Sequence, residues 1–143
     1  MAGRESWDVI YYQGADGRSP VDEFLDLCPT KVAAQLIAVL DDVAEAPPPR
    51  YSGGGRWEAM HGAMAGFYEV RAQGPNREQF RLFCVLENGS SEELSRRGLS
   101  RPAIAVIAGL RKPWMTGFSD RDYASVRRHG DDHRNQVPRR IKE

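Results

Sequence analysis

The sequence predicts an α+β domain, and three observations carry that reading. Apolar residues at three- and four-residue spacing are gathered in 19–45, near the N terminus. Segments of strand length, alternating or continuously apolar, dominate 66–110. One further capped, polar helical segment follows, and no internal repeat is visible. Helices set apart from a largely antiparallel sheet define the α+β class. A chain of 143 residues suits a single domain with one real core. The domain is expected over 1–130, followed by a polar tail over 131–143 in which Val137 and Ile141 are the apolar positions.

Each element has a local cause. Trp7-Asp-Val-Ile-Tyr-Tyr12 is β-branched and aromatic and is followed by turn residues from Gly14 to Gly17, so it is read as a strand. Ser19-Pro20 opens a short helix, with Ser19 as N-cap, Pro20 in the first helical position and acids in the first turn. Val21, Phe24, Leu25 and Leu27 give that helix its apolar face, and Pro29 ends it. Thr30 is then positioned to cap a second helix, in which Val32, Leu36, Val39, Leu40 and Val43 recur at helical spacing until Pro47-Pro48-Pro49. Gly53-Gly54-Gly55 is read as a loop, because no Gly-Lys-Ser/Thr follows it. Arg56 to Met60 is a short strand or an irregular segment.

Gly66 to Ala72 alternates, with Phe67, Glu69 and Arg71 on one face and Tyr68, Val70 and Ala72 on the other. Gly74-Pro75-Asn76 turns the chain. On the returning strand Phe80, Leu82, Cys84 and Leu86 form the expected core side, and Gln79, Arg81, Phe83, Val85 and Glu87 the other. Asn88 to Pro102 is a long polar loop whose Ser-Glu-Glu-Leu-Ser-Arg-Arg centre suits a turn of helix. Ala103 to Leu110 fits a strand buried on both faces. Ser119-Asp120 caps a last helix, expected to run to about His129.

Composition narrows the function. Hydrophobic residues at 41% and charged residues at 28% exclude a wholly disordered chain. The longest apolar run, Ala103 to Leu110, is too short to cross a bilayer, so no membrane partner is expected. The first seven residues lack the apolar stretch of a signal peptide, and Cys28 and Cys84 form neither a CxxC pair nor a zinc framework. A reduced, cytoplasmic protein is the expectation. The formal charge of zero hides an uneven distribution. Residues 1–50 hold four basic and nine acidic side chains, net −5; 51–109 are net +1; 110–143 hold nine basic and five acidic, net +4. Such asymmetry marks an anionic partner at one end, or simply acidic residues on exposed helix faces.

Four segments in order make a family pattern: Gly17-Arg18-Ser19-Pro20-Val21-x-x-Phe24-Leu25; Gly66-Phe67-Tyr68-Glu69-Val70-Arg71; Phe80-Arg81-Leu82-Phe83; and Gly109-Leu110-Arg111-Lys112. Over roughly residues 7–129 the chain resembles the HigB-like toxins of the RelE/ParE superfamily, in particular the phage-associated branch. The resemblance implies a RelE-like small antiparallel sheet packed by two N-terminal helices, with a C-terminal helix. It implies ribosome-dependent endonucleolytic cleavage of mRNA and neutralisation by a helix-turn-helix antitoxin.

Cleavage of RNA by its own 2′-hydroxyl needs a group that takes the hydroxyl proton, positive charge on the phosphorane-like transition state, and a proton for the leaving 5′-oxygen. Guanidinium and ammonium groups can supply the charge, so neither cofactor nor metal is expected, and no Asp/Glu/His cluster with metal-ligand spacing is evident. Arg81 is the first candidate, projecting from a rigid strand opposite its apolar side and matching the family's strand arginine. An arginine on a solvated sheet face is otherwise common. Arg71 would add a second guanidinium if the hairpin register brings the two together, with Glu69 on the same face to orient it. Lys112 matches the first lysine of the family's usual pair, and Pro113 replaces the second. Arg111 is a substitute cation, although neighbouring strand residues point to opposite faces. Glu58 stands where one RelE-like subgroup carries a carboxylate base, and His129 matches acids found near the C terminus elsewhere in the superfamily. A histidine near a helix end also serves to satisfy free carbonyls. Tyr123 has the right chemistry but is expected to face the core. Trp57, Trp114 and Phe118 are candidate platforms for base stacking, Trp114 foremost for RNA binding.

Three functions compete. The first is an endoribonuclease toxin using Arg71, Arg81 and Lys112. The second is the ParE-like function, a topoisomerase inhibitor without chemistry of its own. The third is a phage or prophage binding module with a degenerate site, favoured by Pro113, the triple glycine and the long 88–102 loop.

Overall fold

The computed structural model describes residues 6–48 and 53–142. Residues 1–5, Pro49 of the expected helix stop, and Glu143 lie outside the described residues. Strand β1 (Asp8–Tyr12) leads through the Gly14–Gly17 turn to helices α1 (Pro20–Leu27) and α2 (Thr30–Glu45). β2 (Trp57–Ala59), β3 (Tyr68–Gln73) and β4 (Gln79–Glu87) follow, then α3 (Ser91–Arg96), β5 (Ala103–Lys112), α4 (Asp120–Asn135) and β6 (Ile141–Lys142). The sheet order is β2-β3-β4-β5-β1-β6. β1 runs parallel to β5, and every other neighbouring pair is antiparallel.

The caps follow local chemistry. Ser19 Oγ accepts from the Asp22 amide at 3.2 Å, ahead of Pro20. The second helix departs from expectation: Pro29 occupies the N-cap without a side-chain bond, and Thr30 is already inside the helix. α3 and α4 each open on a reciprocal capping box, Ser90 with Glu93 and Ser119 with Asp122.

β4 is buried on both faces, where one core side was expected. Phe80, Leu82 and Cys84 pack against α1 and α2, where Val21, Leu36, Leu40 and Val43 are buried. Phe83 and Val85, on the side opposite the expected core face, are equally buried in a second core with Phe67, Ile107 and Val126. Helix α4 covers that side. It does so with few apolar residues, because it approaches closely: a Cβ at Gly130 would sit 2.6 Å from the Phe67 ring. β5, between the two cores, buries Ala103 to Ala108 without a break, as expected of a strand covered on both faces.

The last segment is the largest departure. Gly130 does not end the helix, which continues to Asn135, and the chain then adds β6 to the edge of β1, pairing Tyr11 with Lys142 and Tyr12 with Ile141. Far from trailing as a tail, residues after 130 bury His133 completely and set Arg139 against Glu87 at 2.7 Å. Paired polar groups stabilise this end, so low hydropathy is no sign of exposure here. Among the described residues no helix is long and apolar enough to cross a membrane.

Candidate functional site

The β2–β3–β4 register builds the site. Glu58 faces Glu69 across β2–β3, and Arg71 faces Arg81 across β3–β4, so these four side chains share the α4 side of the sheet. Two guanidiniums directly opposite each other repel unless a counter-charge lies between them. Glu69 is that counter-charge. It is buried, accepts from Arg71 Nε at 2.7 Å, and lies 3.8 Å from Arg81 Nε. Arg71 also reaches outward to Glu58 Oε1 at 2.8 Å. The Arg81 fork is held by neutral acceptors, Gln79 Oε1 at 2.8 Å and the Phe80 carbonyl at 3.1 Å.

Burial presses the Arg81 pKa below its ordinary value, and Glu69 opposes that shift; a guanidinium stays charged regardless. Tyr123 stands nearby with its ring edge-on to Phe83 at 5.9 Å. Burial and then Glu69 push its phenol above the ordinary range, so it holds its proton at neutral pH. α4 begins beside this cluster and runs toward Glu87, which leaves the Arg81 end of β4 uncovered.

A cleft of about 560 Å³ opens there. It reaches round to α2: Arg56, Arg71 and Arg81 line it with Ala72, Gln73, Gln79, Trp114 and Met115, Gln35 and Val39 close it from α2, and no carboxylate is among its lining residues. Glu58 and Glu69 therefore hold the arginines without occupying the wall of the cleft. Fixed guanidiniums presented this way bind a phosphate or carboxylate oxygen without reorganising.

The other sequence candidates divide. Lys112 pairs in register with Gln79, on the Arg81 face, with its ammonium 3.3 Å from Asp122. Trp114 lines the cleft and is half exposed. Arg111 lies on the opposite face, where it forks onto Glu78 at 2.7 and 2.9 Å, donates to the Leu27 carbonyl and stacks on Phe80. His129 packs against Tyr12 of β1, two strands from Arg81, and burial lowers its pKa. Trp57 stacks on Tyr68 in the α2-side core, and Phe118 packs on Phe83 and Tyr123, so neither offers a free ring face like that of Trp114.

Sequence reasoning missed Gln79, Arg56, Arg77 and Met115. Strand alternation places Gln79 two residues before Arg81 on the same face, which was a usable signal. The others sit on loops whose positions follow from long-range contacts. Among the described residues no group of three or more His, Cys, Asp or Glu side chains is placed to hold a metal ion. The chain matches no protein-family model, no curated protein and no solved structure at a significant level.

Proposed function

We propose that this chain is the toxin of a type II toxin–antitoxin pair, an endoribonuclease that cleaves mRNA on the ribosome through the RNA's own 2′-hydroxyl. One observation carries the reading: three arginines line a cleft whose wall holds no carboxylate, with Arg71 and Arg81 placed opposite each other by strand register. The scissile phosphate sits against Arg71 and Arg81, which neutralise the charge that grows on its oxygens. Glu58, exposed at the rim, takes the 2′-hydroxyl proton as the oxygen–phosphorus bond forms. The bond to the 5′-oxygen breaks, and Tyr123, still protonated at neutral pH, supplies the proton to the leaving oxygen. Lys112 adds positive charge at the edge of the cleft. A helix-turn-helix antitoxin is the partner, and the cytoplasm is where ribosome and toxin meet.

The test is to induce the wild type and Arg81→Ala in cells and map mRNA 5′ ends. Cleavage within translated codons should appear with the wild type and fall at least about 100-fold with Arg81→Ala, the typical cost of one transition-state donor. A second reading, binding without chemistry, is favoured by the distance of His129 from the cleft and by the engagement of Lys112 with Asp122. Growth arrest with intact mRNA and trapped DNA breaks would point to a topoisomerase target. No arrest at confirmed expression would leave a degenerate binding module.

A further inference from the structure

Among the described residues, three non-glycine residues have positive φ: Asn76 at 57°, Arg77 at 59° and Met115 at 66°. All three lie on the two loops beside the cleft, the β3–β4 turn and the β5–α4 connection. Left-handed backbone is disfavoured for side chains such as Arg and Met and persists where other contacts over-determine it. The contacts are on hand. The Arg77 guanidinium lies 4.7 Å over the Trp114 ring, and Gln79 Nε2 donates to the Thr116 carbonyl at 3.2 Å. The result is an indole fixed at the rim of the cleft yet 50% exposed, beside a Met115 that is 80% exposed. Arg77 is not among the residues lining the cleft, whereas Trp114 and Met115 are.

We propose that Trp114, braced by Arg77 and flanked by Met115, is a stacking subsite for one unpaired nucleobase, next to the phosphate position at Arg71 and Arg81. This rests on the reading of RNA as substrate and specifies the form in which it is taken. A rigid flat apolar face beside a cationic wall suits a base joined to a phosphate, and every base offers a π face. An acidic peptide would meet the same cations but has a flat ring only where an aromatic residue stands, whereas every nucleotide joins a ring to a phosphate. A base in a duplex has both faces covered by its stacked neighbours, so the subsite selects single strands. The exposed amides of Gln35 and Gln73 line the same cleft and offer donors and acceptors to a base edge. The cleft volume of about 560 Å³ is of the size that accommodates a small organic group.

The experiment uses 2′-O-methyl trinucleotides, which cannot be cleaved, with either a base or an abasic sugar at the centre. Binding to the whole protein is followed at low salt up to millimolar oligonucleotide. Trp114→Ala should weaken the base-containing strand about 5- to 150-fold, the worth of one base–aromatic stack, and leave the abasic strand unchanged. Trp114→Phe should recover part of the loss, with thermal melting as the check that each variant is folded. Arg71→Ala with Arg81→Ala should weaken both strands equally, and the same three nucleotides enclosed in the stem of a hairpin should bind more weakly than the single strand. Equal wild-type affinity for base-containing and abasic strands, or equal loss on both in Trp114→Ala, overturns the proposal. So does a wild type that binds neither strand. Base-dependent binding together with intact mRNA in induced cells would overturn cleavage and leave the stacking subsite standing.

Discussion

Two buried glutamates sit against pairs of arginines at opposite ends of the sheet, and they do different work. Glu87, the last residue of β4, accepts from His133 Nε2 at 2.6 Å, Arg139 Nε at 2.7 Å and Arg97 Nη1 at 3.2 Å. Since the carboxylate only accepts, the His133 proton on that bond belongs to Nε2. The cluster ties β4, the end of α3, the end of α4 and the segment before β6 into one closed joint, with the His133 side chain wholly buried. Glu69 also holds two arginines, but the Arg71 side chain is 39% exposed and Arg81 completes its bonding with neutral acceptors at the wall of a cleft. The difference is solvent and saturation. A carboxylate saturated by two guanidiniums and an imidazole, largely away from water, makes a joint. One that leaves part of a guanidinium to weaker partners beside water makes a site from which an incoming anion can recruit that guanidinium.

The sharpest way to break this contrast is to neutralise each glutamate in turn. Glu87→Gln strands Arg139 and Arg97 in a buried setting and should cost about 3–5 kcal/mol, a large part of a domain's stability. Glu69→Gln should cost less, about 2 kcal/mol: water reaches Arg71 and screens part of the loss, while the mostly buried Arg81 is left opposite it without a counter-charge. Urea denaturation midpoints at neutral pH measure both. Equal costs would mean that the Glu69 end is as closed as the Glu87 end.

Acid probes the same contrast with a somewhat smaller effect. Burial alone would raise the Glu87 pKa, but the bonds from His133 and Arg139 outweigh it and hold the carboxyl at about 2, against an ordinary value of 4.5. A folded pKa below the unfolded one contributes stability above the ordinary carboxylate range, and that contribution drains away as pH falls through the folded value. For Glu87 the window runs from about pH 5 to about pH 2 and is worth about 3 kcal/mol. Urea midpoints of the wild type should therefore fall steeply across the window, and those of Glu87→Gln should fall less. Parallel curves would show that the joint does not depend on the Glu87 charge.

The two ends were unequally legible in the sequence. Much that depends on local periodicity was readable: the Ser19-Pro20 start of α1, the α2 stripe, the alternation of β3, the doubly buried run of β5, and the sharing of one face by Glu69 and Arg71. With the turn at Gly74-Pro75-Asn76, that alternation also pointed toward the Arg71–Arg81 pairing. The Glu87 joint was not readable. Arg97 is ten residues away, but the other two partners, His133 and Arg139, lie 46 and 52 residues along the chain, in a stretch whose Asp, His, Arg and Asn composition has the signature of a solvated tail. Composition reports the cost of burying a polar group and says nothing of the partner that offsets it. The continuation of α4 past Gly130 was hidden for a related reason: glycine there serves contact with Phe67, which only the packed structure reveals. The Arg77–Trp114 stack depends on two loops in left-handed backbone and has no period to detect.

The smallest effect is the most direct measure of an open site. If part of the Arg71–Arg81 bonding capacity is exchangeable, inorganic phosphate should stabilise the folded protein in proportion to ln(1 + [L]/Kd), because the unfolded chain holds no such pair. At several times a millimolar Kd the gain is about 1 kcal/mol, which raises the melting temperature by about 2–4 °C for a domain of this size. Chloride at matched ionic strength should give less, since it lacks the oxygens that a guanidinium fork engages. Arg81→Ala should melt near the wild type and lose most of the phosphate increment. Arg97→Ala should behave the other way: a lower melting point, because it opens the Glu87 joint, with the increment intact, because the cleft is untouched. An increment that survived Arg81→Ala but vanished in Arg97→Ala would place the exchangeable cations at the other end of the sheet and reverse the assignment of joint and site.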